Sequence, residues 1–128
     1  MIETTAAAFT LFDKTLAVLG LIRDQKRQRT ERTDQALLAL YAALAETRSY
    51  MSELKQGTAQ DTARQFAIAQ LWYRASVPLR RIDKDLAERC FLKGGYWMEP
   101  NVWEQSQLET KRITIDSVFE ATQQLLLS

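Results

Sequence analysis

The sequence predicts an all-α fold, an antiparallel up-down-up-down four-helix bundle with a proline-kinked third helix. Three observations lead there. Apolar residues recur at spacings of three and four, the period of a helix with one buried face. No segment keeps the apolar/polar alternation of a half-buried strand. Only four glycines and two prolines occur in 128 residues, and Ala, Leu, Gln, Arg and Glu, all good helix formers, fill much of the rest.

Helix one is expected over residues 4–26. Phe9, Phe12, Leu16 and Leu19 make its stripe, widened by Ala6, Val18 and Ile22. Gly20 inside it costs about 1 kcal/mol relative to alanine, which a close helix crossing would explain. Helix two is expected over residues 33–56, with Leu37, Leu40, Leu44, Thr47, Met51 and Leu54 at spacings of 3, 4, 3, 4, 3. Gly57 suits the left-handed residue that closes a helix. Thr58, three before Asp61, offers a capping pattern for the next.

Between the first two helices, residues 23–34 are polar but contain no Gly, Pro or Asn. The favoured reading is a turn near residues 29–33, because successive stripe positions there are not apolar. The alternative is one unbroken helix. It would expose two apolar stripes on either side of a polar waist and demand a partner chain.

Helix three is expected over residues 59–93. Ile68, Leu71, Ala75, Leu79, Ile82 and Leu86 keep phase through Pro78, which argues for a kink; a break with Ser76 as a new cap is the runner-up. Gly94 and Gly95 should end that helix, and residues 96–100 read as an aromatic loop. Asn101 with Glu104 reads as a capping-box variant. It would open helix four at 102–126, with Leu108, Ile115, Phe119, Thr122 and Leu126 inward.

Composition bounds the chemistry. One domain, residues 1–128, is expected at this length. With no histidine and one cysteine, zinc hydrolases, His-containing triads, Glu-x-x-His di-iron bundles and CxxC redox pairs are excluded. No cofactor and no metal is expected. A net charge of +1 gives no overall pull toward nucleic acid or anionic lipid. The longest stretch without Asp, Glu, Lys or Arg, residues 35–45, is too short for the roughly 20 residues of a membrane span. The opening Met-Ile-Glu-Thr-Thr has no basic region ahead of an apolar run, so the expected address is the cytoplasm.

Four features bear on function. Residues 23–34 hold five basic and three acidic residues; Arg80, Arg81, Lys84, Arg89 and Lys93 form a second basic group diluted by Asp83, Asp85 and Glu88. Because each carries its own acids, both read first as solvated faces with internal ion pairs. Tyr96, Trp97 and Trp103 crowd within eight positions, beside Trp72 and Tyr73 earlier in the chain. They read as a plug at the end of the bundle or as interface anchors. Glu31-x-x-Asp34 and Asp85-x-x-Glu88 have the spacing of Mg²⁺-holding carboxylates but are interleaved with arginine, and read as salt-bridge surface. Cys90, with no histidine to deprotonate it, reads as a buried structural thiol.

The expected function is therefore a non-enzymatic interaction module, a subunit, adaptor or regulator, that meets a protein partner or a second copy of itself. Tyr96, Trp97 and Trp103 are the expected anchors, Trp97 the most exposed of them. Arg27, Arg29 and Arg32 are expected at the rim, brought near Trp97 by the turn. The alternative is a nucleic-acid-associated module using the same basic turn and aromatic stacking. A Mg²⁺-dependent phosphohydrolase ranks behind both.

Overall fold

The structure, a computed structural model, describes the backbone of residues 13–128 and side chains at Arg27 and from Thr30 onward. The expected start of helix one, with Phe9 and Phe12, lies outside the described residues, as do the side chains of Leu16 and Leu19. Among the described residues, five α-helices follow one another: α1 (Asp13–Lys55), α2 (Thr62–Leu79), α3 (Lys84–Met98), α4 (Gln105–Thr110) and α5 (Ile115–Leu127), with a 3₁₀ turn at Pro100–Val102. Among the described residues there is no strand, and no helix is long and apolar enough to cross a membrane. The chain divides into two units between Arg32 and Thr33; the packing described below lies within residues 33–128.

The element boundaries correct the sequence reading in several places. First, α1 runs without a turn through residues 23–34. This segment consists mostly of helix formers, and Asp24 with Arg27, and Arg27 with Glu31, stand three and four apart with opposite charge. Such pairs support a helix locally even where no apolar stripe does.

Second, the single helix expected over residues 59–93 is two helices. Pro78 lies one residue from the end of α2. The chain then turns through residues 80–82, with Ile82 and Asp83 donating to the Leu79 carbonyl. Asp83, not Ser76, is the new cap: its carboxylate accepts from Leu86 N at 3.0 Å. Ser76 instead stays inside α2 and donates to the Tyr73 carbonyl. The phase survives the break, since Leu79 and Leu86 are both buried.

Third, helix four is in pieces. Pro100 opens a 3₁₀ turn, Glu104 and Gln107 form the capping box of α4, and Thr114 caps α5 by accepting from Ser117 N. The run Ile113-Thr114-Ile115 is β-branched throughout and disfavours a helical course between α4 and α5. Arg112 there takes φ 57°, a left-handed conformation costing about 1–2 kcal/mol for a non-glycine residue. Asn101 is therefore not a helix cap, and Leu126 is exposed instead of inward.

Other expectations hold. Leu37, Leu40, Leu44 and Thr47 of α1 are buried, with Met51 and Leu54 half-buried against the same core. Gly57 has φ 93°, and Thr58 N reaches back to the Glu53 carbonyl, a Schellman closure of α1. The cap expected at Thr58 is instead Asp61, whose carboxylate accepts from Arg64 N at 3.0 Å, so α2 opens at Thr62 and not at residue 59. The core joins Leu40 and Leu44 to Ile68, Trp72 and Ala75 of α2, to Leu86 and Cys90 of α3 and to Val118 of α5. Thr47 is the polar pivot: its hydroxyl donates to the Ala43 carbonyl at 2.6 Å and accepts from Trp72 Nε1 at 3.0 Å. Arg64 ties α2 to α1 at the surface through Glu46 and Glu53, which raise its pKa. Cys90 is a free, fully buried thiol, pushed up to about 12 by burial.

Gly94 and Gly95 do not end a helix; they lie inside α3. The reason is a close approach at one of them. A Cβ at Gly94 would stand 2.7 Å from the Tyr73 ring, whereas one at Gly95 would meet only the Tyr73 hydroxyl, at 4.0 Å. The two adjacent glycines should therefore respond with opposite signs. Gly94→Ala should destabilise by about 1–3 kcal/mol through overpacking. Gly95→Ala should stabilise by up to about 1 kcal/mol, the helix-propensity gain. Urea melts of the two variants test this, and equal effects at both positions would contradict the described α2–α3 contact.

Candidate functional site

The buried stripe of α3 contains Leu86, Arg89, Cys90, Lys93 and Trp97, so two cations stand on an inward face. Arg89 donates through Nε to the Arg112 carbonyl at 2.9 Å and through Nη2 to the Ser117 carbonyl at 3.0 Å. It thereby fixes both flanks of the turn before α5. Asp85 accepts from Arg112 Nη2 at 2.7 Å and approaches Arg89 Nη1 at 3.5 Å, in keeping with the salt-bridge reading of Asp85-x-x-Glu88. Among the described residues, no group of His, Cys, Asp and Glu could hold a metal ion.

Lys93 is only 4% exposed. Its Nζ donates to the Ile113 carbonyl at 2.6 Å and lies 5.6 Å from the Tyr96 ring centre and 6.0 Å from that of Trp72. Burial pulls it down to about 8 from its ordinary 10.5, while the Coulombic influence of Cys90 raises it. It takes part in none of the ion pairs among the described residues.

Lys93 also lines a cleft of about 650 Å³, within the roughly 300–1,000 Å³ usual for small-molecule sites. Met51 and Leu54 of α1, Tyr96 and Trp97 of α3, and Leu108 of α4 supply apolar wall; Glu109 and Asp116 contribute exposed carboxylates.

The structure brings the three predicted aromatics together. Tyr96 meets Trp97 edge-on at 5.1 Å and Trp103 at 6.5 Å, and Trp97 meets Tyr50 at 5.8 Å. Trp97, expected to be the most exposed, is 6% exposed, and its buried indole N–H has no hydrogen-bond partner among the described residues. Its place on the stripe with Leu86 and Cys90 explains this, because α3 continues past the glycines and carries Trp97 onto the core face. Tyr96 and Trp103 are half-buried, and partial burial raises the Tyr96 phenol.

The predicted basic rim does not form a turn. Arg27 and Arg32 are exposed positions of the unbroken α1; the side chain of Arg29 lies outside the described residues. Charge alone groups Lys93 with the solvated basic residues, so sequence reasoning misses it as a site residue. Its spacing from Leu86, Cys90 and Trp97 is the signal that places it inward.

A second surface lies on α1. Asp34, Leu38, Tyr41, Ala45 and Arg48 stand at spacings of 4, 3, 4, 3, and all are exposed. Leu38 is 67% and Tyr41 41% exposed, and Ala42 beside them is exposed as well. Arg48 packs its guanidinium 4.3 Å over the Phe119 ring.

No protein-family model, curated protein or solved structure matches this chain.

Proposed function

We propose that the protein is a non-enzymatic interaction module that self-associates through the solvent-facing side of α1. The observation that carries this reading is the heptad-spaced seam Asp34, Leu38, Tyr41, Ala45 and Arg48, exposed along its length. A surface helix normally presents polar residues there. Here the centre is apolar, and alanines at 42 and 45 permit close approach of a second helix.

The end charges select the partner and its direction. In an antiparallel pair about a twofold axis at Tyr41, Asp34 of one copy faces Arg48 of the other, at both ends of the seam. A twofold interface needs only one self-complementary patch.

Sedimentation equilibrium across a concentration series tests the proposal. Wild type should dimerise reversibly, and Leu38→Glu should weaken association by about tenfold or more. Asp34→Arg and Arg48→Asp should each weaken it by up to about 1 kcal/mol, and the double swap should restore it. A monomer at every concentration, or a double swap no better than the singles, would overturn the antiparallel self-pairing.

A further inference from the structure

The cleft beside Lys93 plays no part in that seam, and its chemistry points to a ligand. The ammonium of Lys93 offers three N–H donors, and one is used, by the Ile113 carbonyl. A buried cation without an ionic partner is costly, and a carboxylate brought to it would offset that cost. In the same wall, Trp97 Nε1 is a second buried donor, with no hydrogen-bond partner among the described residues, a rare condition in a folded protein.

We propose that this cleft binds a small apolar monocarboxylate, with the carboxylate seated on Lys93 Nζ and the apolar body against Met51, Leu54, Tyr96 and Leu108. Among the described residues, Lys93 is the only basic one in the cleft wall, whereas Glu109 and Asp116 are both there. One cation with two exposed carboxylates nearby favours a single negative charge and repels the several charges of a nucleotide or polyphosphate. The apolar lining fits the usual division of labour in such sites, in which hydrophobic walls supply contact area and a few polar groups set orientation.

Isothermal titration of the full-length protein at neutral pH with 4-phenylbutyrate, and with 4-phenylbutyramide as its neutral counterpart, tests the proposal. The carboxylate should bind saturably and at least about tenfold more tightly than the amide. Lys93→Met should reduce carboxylate affinity to that of the amide, leaving amide affinity unchanged. Asn101→Trp, an exposed position of the 3₁₀ turn at the cleft, should abolish binding of both while keeping Lys93 in place. Equal affinity for acid and amide would overturn the proposal, as would unchanged carboxylate binding in Lys93→Met or no saturable binding up to about 10 mM. Should Lys93→Met fail to fold, the acid–amide comparison on wild type and the Asn101→Trp block decide the question.

Discussion

Trp72→Ala should destabilise the protein by about 3–5 kcal/mol, against a total stability of about 5–15 kcal/mol for a domain. Trp72 is among the largest fully buried side chains and sits where α1, α2 and α3 meet. Its removal loses apolar burial, leaves a cavity among Leu40, Ile68 and Leu86, and strips the donor from Thr47. Trp72→Phe separates these contributions, since it keeps most of the volume but not the 3.0 Å bond to Thr47. Its cost should be about 1–2 kcal/mol. Denaturant titrations followed by circular dichroism give both values. A loss under about 1 kcal/mol for Trp72→Ala would mean the three helices do not share this core.

Stability should rise with pH across the interval from about 8 to 10.5 through Lys93. Its folded pKa lies below its unfolded one, so within that interval the unfolded chain holds more protons and raising the pH favours folding. Below about 8 the ammonium is charged in both states and its burial cost is fully expressed; above 10.5 it is neutral in both and the cost is gone. The whole difference is about 3 kcal/mol. Cys90 acts in the opposite sense. Its folded pKa of about 12 exceeds the ordinary 9.0, so above pH 9 the unfolded chain loses its proton first and stability falls. The two contributions offset each other from about 9 to 10.5. Comparing Cys90→Ala with Cys90→Ala/Lys93→Met isolates the lysine. The single variant should gain melting temperature from pH 8 to 10.5 relative to the double, and parallel curves would show that Lys93 titrates normally.

These two sites also show where sequence reasoning reaches and where it stops. Trp72 lies one residue from the stripe position Leu71, and the stripe that Leu40, Leu44 and Thr47 trace is legible from residue spacing alone. Trp97 is different, because Gly94-Gly95 resembles a helix end and so suggests an exposed loop. In the fold, Gly94 admits the Tyr73 ring against the α3 backbone, and the helix continues to Met98. Likewise, Arg89 and Lys93 resemble solvated charges by composition. Their burial depends on carbonyls of Arg112, Ile113 and Ser117, twenty or more residues away.

The sequence by itself determined the all-helical class, the buried face of α1 from Leu37 to Leu54, the left-handed closure at Gly57 and the inert placement of Cys90. Each follows from interactions within a few residues, or from a period that any buried face must keep. Only the tertiary structure decided that residues 23–34 stay helical, that the chain restarts at Asp83 and Thr114, and that Lys93 and Trp97 meet at one cleft. Those outcomes weigh local preferences that nearly balance, a polar helix against a turn or a proline kink against a fresh cap. The balance is set by which distant carbonyl, ring or carboxylate the folded chain brings within reach.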